Sequence, residues 1–314
     1  MTSVEIIDRL GRLPDIRIGR QVPLSGCGSF QLGGPAGLLV TCTGPEALKT
    51  VRNEAARLPR PLALMGAGTN ILFSDAGWPG TLVRYTREDF CPPRRMENGC
   101  WRVNAAVQLD ALAEWACQHG IGNWEAFSGI PGTVGGAVVG NAGAWGVQME
   151  HMLQEIHGWD DKGETRIWSI EDCGFSYRDS RLKHDGSWVS EVILSPIPGQ
   201  PEAQCRERAR ILALRTEKHP DWRKVPCIGS FFKNIQPSSA AERRQAAGWF
   251  LDKVGAKGER EGGAAVFAKH ANILIKDGPD CTAADVLNLS LRLQARVREQ
   301  FGIDLEREVQ LLGF

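Results

Sequence analysis

The sequence lacks an excess of charge of either sign, since 37 lysine and arginine residues balance 37 aspartate and glutamate residues. A neutral chain offers no overall field that would attract DNA, RNA or an anionic membrane. It also lacks any run of about 18 apolar residues, the length that a membrane-spanning helix requires. We therefore expect a small-molecule substrate, no nucleic-acid partner and no membrane insertion.

The sequence also lacks the spacing of a metal or redox site. Its nine cysteines form no C-x-x-C pair, and no cysteine or histidine cluster has the spacing of a zinc site. The first residues contain no basic region followed by an apolar stretch and a cleavage site. These absences predict a reduced, metal-free protein in the cytoplasm. At 314 residues, the chain is long enough for two or three packed units.

Periodic apolar residues predict regular elements along the chain. Helical spacing predicts helices over 45–58, 109–119, 206–218 and 282–301. A short apolar run predicts a strand over 62–65, and alternating polar and apolar residues predict another over 305–311. The last helix has the clearest local signals, because Thr282 and Asp285 can form a capping box and Gly302 follows its end.

Two glycine-rich segments indicate close contact with a ligand. The first, GAGTN at 66–70, follows a predicted strand, and its amides could hold a diphosphate. A plain turn is the alternative, because the third glycine and the helix of a dinucleotide-binding motif are missing.

The second segment, 129–146, contains seven glycines in 18 residues and still keeps apolar side chains. Glycine lets a backbone adopt left-handed angles and approach a ligand closely. The segment has neither a collagen-like period nor the composition of a disordered tract. We expect the two glycine-rich segments to lie on separate units and to grip one extended cofactor.

These segments are part of a longer series of motifs, through which the chain resembles the UDP-N-acetylenolpyruvoylglucosamine reductase (MurB) family from Val22 to Gly313. The motifs are GSFQLGGPAGLLV at 28–40, GAGTNILFSDAGWPG at 66–80, GIPGTVGGAVVGNAGAWG at 129–146, YRDSRLK at 177–183, LRTEKHP at 214–220, GSFFKNI at 229–235, AGWFLDKVGAKG at 247–258, KHANILIKDG at 269–278 and GIDLEREVQLLG at 302–313. The stretch from Ser195 to Arg206 is too short for the inserted loop of the longer subfamily. The chain therefore resembles the shorter, second type.

The resemblance implies an α+β fold of three parts. A two-subdomain FAD-binding module of the PCMH type comprises subdomain 1 (1–84) and subdomain 2 (85–200). A smaller α+β substrate-binding domain (201–314) follows, with the option that its last strand returns to subdomain 1. The implied activity is reduction of UDP-N-acetylglucosamine enolpyruvate to UDP-N-acetylmuramate in peptidoglycan synthesis. Noncovalent FAD is the implied cofactor and NADPH the co-substrate, and we expect a monomer.

The resemblance also assigns the site residues, none of them to a metal. It places FAD against Gly66, Ala67, Gly68, Thr69, Asn70, Gly129, Ile130, Pro131, Gly132, Thr133, Gly135, Gly136, Asn141, Gly143 and Ala144. It places the substrate against Tyr177, Lys218, Phe232 and Asn234. It assigns catalysis to Arg178, Ser230 and Glu308.

The chemistry of the reaction suits these three residue types. Adding hydride to the enolpyruvyl group leaves enolate-like charge beside a carboxylate, which requires a positioned cation and a proton donor. Arg178 can fork onto the carboxylate, and Ser230 is expected to donate the proton. Glu308 is expected to orient the enol or to help supply that proton.

Strand periodicity agrees with this assignment. In 230–234 it places Ser230, Phe232 and Asn234 on one face. In the last predicted strand, with the exception of Arg307, it places Glu306, Glu308 and Gln310 opposite the apolar side chains.

Two other functions stay open. An FAD-linked oxidase of the related fold often tethers its flavin through histidine or cysteine, for which only Cys42 and His151 lie close to the glycine-rich segments in sequence. A non-catalytic flavin-binding or sugar-nucleotide-binding paralogue is the second. The presence of all three predicted catalytic residues argues against the paralogue.

Overall fold

The computed structural model of the protein describes residues 2–236 and 245–314. Its helices are α1 Ser3–Leu10, α2 Pro45–Glu54, α3 Leu109–Gln118, α4 Val134–Val139, α5 Pro201–Lys218, α6 Ala247–Lys253 and α7 Ala283–Phe301. Its strands are β1 Ile16–Pro23, β2 Pro35–Cys42, β3 Leu62–Met65, β4 Ile71–Phe73, β5 Trp78–Tyr85, β6 Arg94–Arg95, β7 Trp101–Asn104, β8 Gly143–Ala144, β9 Val147–Gln148, β10 Leu153–Trp159, β11 Thr165–Trp168, β12 Trp188–Leu194, β13 Cys227–Ser230, β14 Arg260–Glu261, β15 Ala264–Val266, β16 Ile273–Lys276 and β17 Gln310–Leu312. This mixture of helices and sheets confirms the α+β class. Across these residues, no helix is long and apolar enough to cross a membrane.

Elements with strong local signals form where the sequence predicts them. The capping box at the start of α7 is present, with the Asp285 N–H donating to Thr282 Oγ1 at 3.0 Å. Gly302 closes the helix in the left-handed conformation, at φ 67°. Helix α5 begins at Pro201 instead of Arg206, because proline is favoured in the first helical turn.

The chain forms two compact units, each assembled from several segments. The first comprises the described residues of Met1–Gln21, Gly37–Ala67 and Gly80–Arg215. The second comprises those of Val22–Ala36, Gly68–Pro79 and Thr216–Phe314. The three-part division at 84/85 and 200/201 stays a prediction. The last boundary between the two compact units falls between Arg215 and Thr216, within α5.

This boundary falls late in α5 because most of the helix packs on the first unit. Arg208 forms an ion pair with Asp110 of α3 at 2.6 Å, and Ile211 is buried. The Gln204 amide donates to the carbonyl of Ile121 at 2.5 Å. These contacts connect residues far apart in sequence, so composition near residue 200 does not reveal them.

The first unit contains most of the strand residues. A four-stranded sheet has the order β1-β2-β5-β3, and a five-stranded sheet has the order β11-β10-β12-β7-β6. Strands β3 and β5 are parallel, whereas β10, β12 and β7 pair antiparallel. Apolar side chains from α3, α4 and these strands form one continuous core.

The second unit is built on the sheet β13-β16-β15-β14, whose paired strands are antiparallel. The apolar stripe of α7, which includes Val286, Leu289 and Leu293, is buried with residues of this sheet. The last strand is shorter than predicted, because β17 begins only at Gln310. It pairs in parallel with β4, a strand within residues 1–84 that belongs to the second unit.

Candidate active site

The first glycine-rich segment begins directly after β3. A Cβ atom added at Gly66 would lie 2.2 Å from Oγ1 of Thr133, so only glycine fits there. Thr133 is buried, and its hydroxyl oxygen accepts from the N–H of Gly136 at the start of α4. Gly66 therefore packs directly against the second glycine-rich segment.

The second glycine-rich segment is more ordered than a ligand-wrapping loop. It contains α4, whose Val134, Ala137 and Val138 are buried at helical spacing. The N–H of Gly135 donates to the carbonyl of Ala105 at 2.8 Å. The amides of Gly135 and Gly136 are thus used inside the protein, and these residues can serve a cofactor through close backbone approach instead of amide donation.

Asn141 lies at the end of this segment and is fully buried. Its Nδ2 donates to Glu150 Oε1 at 3.0 Å and to the carbonyl of Ser176 at 2.8 Å. Its Oδ1 accepts from the N–H of Glu150 at 3.2 Å. The side chain is engaged within the protein, so we expect Asn141 to hold the segment against the turn that carries Arg178.

That turn presents Arg178 at its centre. Ser176 and Asp179 exchange backbone hydrogen bonds of 3.0 and 3.2 Å, and Arg178 has a φ of 60°. The guanidinium donates to the carbonyl of Gly143 and lies 5.0 Å from the centre of the Tyr177 ring. The structure thus brings predicted catalytic and cofactor-binding residues together. A left-handed conformation at a non-glycine residue is strained, and such strain clusters at functional sites.

Asp179, the residue after Arg178, is stabilised in its ionised form by neighbouring groups. Burial opposes ionisation of Asp179, but a 2.7 Å hydrogen bond from His184 and the charge of Lys183 outweigh it and lower its pKa. Lys183 also donates to the carbonyl of Arg178 at 3.3 Å. The turn is therefore held both by Lys183, at the Arg178 carbonyl, and by the contact of the Arg178 guanidinium with Gly143.

Arg215 is a site candidate that the sequence reading did not single out, although it lies in the LRTEKHP motif. Its Nε is buried without a hydrogen-bond partner in the described part of the chain. Burial lowers the pKa of the guanidinium, and Asp110 only partly offsets this. A Cβ atom added at Gly129 would lie 3.0 Å from Arg215 Cδ. A half-buried cation against the glycine-rich segment fits an anionic cofactor such as FAD.

Ser230 and Glu308 lie on neighbouring segments of the second unit. Ser230 ends β13 and pairs with Ile273 of β16. One residue further on, the carbonyl of Phe231 accepts from the N–H of Glu308 at 2.9 Å. Asn70 donates through its side chain to the carbonyl of Glu308 at 3.2 Å. The last residue of the first glycine-rich segment thus holds the backbone at Glu308, two residues before β17.

The predicted alternation over 230–234 is wrong, because Phe231 and Phe232 are both buried in the core of the second unit. The strand is irregular here, with Gly229 at φ 75° and a register shift between Cys227 and Ser230. Phe232 is 1% exposed, and both its backbone groups bind Asn272. Its ring packs in this core, and its assignment to the substrate stays a prediction.

Two of the other predicted substrate residues, Lys218 and Asn234, lie at the surface of the second unit. Asn234 is exposed, and its Oδ1 accepts from the N–H of Ala247 at 3.2 Å. Lys218 is exposed at the end of α5. Burial lowers the pKa of His270, and the charges of Lys257 and Lys218 lower it further. This positive environment suits an anionic ligand, and His270 was missed although it lies in the KHANILIKDG motif.

Comparison with known proteins agrees with these observations. The family described as "FAD binding domain" matches residues 36–168, which include both glycine-rich segments. The protein is therefore a flavoprotein that binds FAD. The family described as "UDP-N-acetylenolpyruvoylglucosamine reductase, C-terminal domain" matches residues 220–312, which include Ser230 and Glu308.

Relatives match over almost the whole chain. The UDP-N-acetylenolpyruvoylglucosamine reductase of Solibacter usitatus is 33% identical over 97% of this chain and 100% of its own length. That of a Synechococcus strain is 36% identical over 95% of this chain and 92% of its own. The crystal structure of the Thermus caldophilus enzyme, 30% identical, superposes with a TM-score of 0.77 and covers 95% of this chain and 99% of that one. The chain belongs to the UDP-N-acetylenolpyruvoylglucosamine reductase (MurB) family.

Gly136 allows a direct test of close approach by the flavin cofactor. A Cβ atom added there meets only its neighbour Thr133 Oγ1, at 3.5 Å, and the residue is exposed. We expect Gly136→Val to weaken FAD binding roughly tenfold, because the branched side chain fills space that the protein itself leaves open. FAD affinity is measured by titrating the apoprotein and following flavin fluorescence.

Gly140→Val in the same segment is the matched control, since Gly140 also has room for a Cβ atom, 3.4 Å from the carbonyl oxygen of Gly136. Circular dichroism of both variants checks that they fold. Wild-type FAD affinity in a folded Gly136→Val protein would remove Gly136 from the cofactor site.

Proposed function

We propose that this protein reduces UDP-N-acetylglucosamine enolpyruvate to UDP-N-acetylmuramate in peptidoglycan synthesis, with FAD as cofactor and NADPH as reductant. The observation that carries this is the family match over nearly the full chain, which contains the glycine-rich segments, Arg178, Ser230 and Glu308. The first unit supplies the Arg178 turn against the glycine-rich segment. Within the second unit, Ser230 directly precedes Phe231, whose carbonyl accepts from the N–H of Glu308.

Each residue has a distinct proposed task. FAD, when bound, supplies the hydride that originates from NADPH. Arg178 binds the carboxylate of the enolpyruvyl group, because its planar fork matches two oxygens and stays charged at any working pH. Ser230 donates a proton from Oγ to the carbon that develops negative charge. Glu308 orients the enol or returns a proton to that serine.

The residues that hold the cofactor and the substrate are proposals of the same kind. Gly66 and the segment 129–146 would hold FAD, with Arg215 beside its anionic part. Lys218, Asn234 and Tyr177 would contact the sugar nucleotide. Support comes from Arg215 Nε, which has no hydrogen-bond partner among the described residues, and from the positive surroundings of His270.

The structure does not favour a tethered-flavin oxidase. Cys42 is fully buried, and burial raises the pKa of its thiol to about 12, so Cys42 does not offer a reactive thiolate. His151 accepts the N–H of Gln148 through Nδ1 at 3.1 Å, as part of a turn. We expect noncovalent FAD, which acid precipitation would release into the supernatant.

The activity is tested by following the flavin spectrum. The purified protein should be yellow, NADPH should bleach it without oxygen, and the enolpyruvyl sugar nucleotide should then restore the colour. Colourless protein that does not bind added FAD would overturn the proposal, as would reduced flavin that the sugar nucleotide leaves bleached. Rapid reoxidation by oxygen alone would favour the oxidase.

A cytoplasmic location and a monomeric state complete the proposal. All nine cysteines are free thiols, which is typical of a reducing compartment. Light scattering of the purified protein tests the monomer directly.

A further inference from the structure

A single buried side chain completes the sheet beside Ser230. The pairing of β13 with β16 reaches Ser230 and Ile273, after a register shift, and Asn272 immediately precedes β16. Asn272 is 3% exposed. It is not among the catalytic, cofactor-binding or substrate-binding residues that the family resemblance implies. Polar side chains this deeply buried require partners, so its bonds define what it does.

Asn272 binds three backbone groups directly after Ser230. Its carbonyl accepts from the N–H of Phe231 at 2.8 Å. Its Oδ1 accepts from the N–H of Phe232 at 2.9 Å, and its Nδ2 donates to the carbonyl of Phe232 at 2.8 Å. The side-chain amide therefore replaces a missing strand neighbour, pairing with Phe232 as a backbone peptide would.

The same short segment is held on its other edge by residues 306–308, which precede β17. The carbonyl of Phe231 accepts from Glu308 N–H at 2.9 Å, and the N–H of Lys233 donates to the carbonyl of Glu306 at 2.8 Å. Residues 231–233 are therefore fixed between Asn272 on one side and 306–308 on the other. The relative placement of Ser230 and Glu308 depends on this segment.

We propose that Asn272 is a positioning residue that holds the peptide after Ser230 and thereby aims the serine hydroxyl at the reacting carbon. This inference rests on the proposed function, in which Ser230 is the proton donor. Asparagine suits the task because it offers one acceptor and one donor at peptide spacing. An aspartate has the same shape but, when ionised, cannot donate to the Phe232 carbonyl.

The test compares the two halves of the reaction in the FAD-loaded protein. Asn272→Ala should leave flavin bleaching by NADPH within about twofold of wild type and slow reoxidation by the enolpyruvyl sugar nucleotide about tenfold. In the Ser230→Ala background, the same change should have almost no further effect on reoxidation, because the group it positions is gone. Asn288→Ala, an exposed asparagine of α7, is the matched control and should match wild type in both halves.

Asn272→Asp gives a second measurement if the alanine variant does not fold. Its reoxidation rate, relative to wild type, should recover as the pH falls, because a protonated carboxyl regains a donor for the Phe232 carbonyl. A pH-independent ratio, or effects that add fully with Ser230→Ala, would overturn the inference and leave the proposed function intact. Wild-type protein that the sugar nucleotide does not reoxidise would overturn both.

Discussion

We expect Ser230→Ala to leave flavin bleaching by NADPH close to the wild-type rate and to slow reoxidation by the enolpyruvyl sugar nucleotide by about 10²-fold or more. The two halves differ because only the second requires a proton on carbon. Ser230 is half-buried at the end of β13, and its backbone neighbours are fixed by Asn272 and Glu308. Removing one hydroxyl there should change the chemistry and leave the fold intact.

Stopped-flow absorbance at the flavin band gives both rates in one experiment. Ser290→Ala is the matched control, since it also removes a serine hydroxyl from the second unit, one that donates to the carbonyl of Leu287 within α7. Equal slowing of both halves would mean that Ser230 supports the fold or the flavin. Normal rates in both would mean that another group supplies the proton.

We expect Arg178→Lys to slow the same reoxidation step by about 10²-fold, although the charge is kept. A lysine ammonium is a point charge and cannot match the two oxygens of the substrate carboxylate. It also cannot reproduce both the contact with the Gly143 carbonyl and the contact with the Tyr177 ring. Substrate binding should therefore weaken and proton transfer should slow, while reduction of the flavin by NADPH proceeds.

Arg181→Lys is the control, because Arg181 lies in the same loop, is exposed and pairs only loosely with Asp185, at 3.4 Å. Flavin content should be measured for both variants. Loss of flavin in Arg178→Lys alone would show that the arginine chiefly holds the glycine-rich segment. Unchanged turnover with full flavin would remove Arg178 from the site.

Local signals predicted those parts of the fold that depend on neighbours in sequence. The capping box and closing glycine of α7, the helix α3 and the strand β3 are as expected, because hydrogen bonds within a few residues determine them. The α+β class and the family followed from motifs spread along the chain. These features can be predicted without knowing which distant segments of the chain are in contact.

The sequence by itself thus determined the family, the cofactor and the residue types available for catalysis. Only the tertiary structure decided that Phe232 is a core residue, that Arg178 is fastened to Gly143 and that Asn272 pairs with the peptide after Ser230. Each of these depends on contacts between segments tens of residues apart. Such contacts depend on how the whole core packs, so the periodicity of one segment does not predict them.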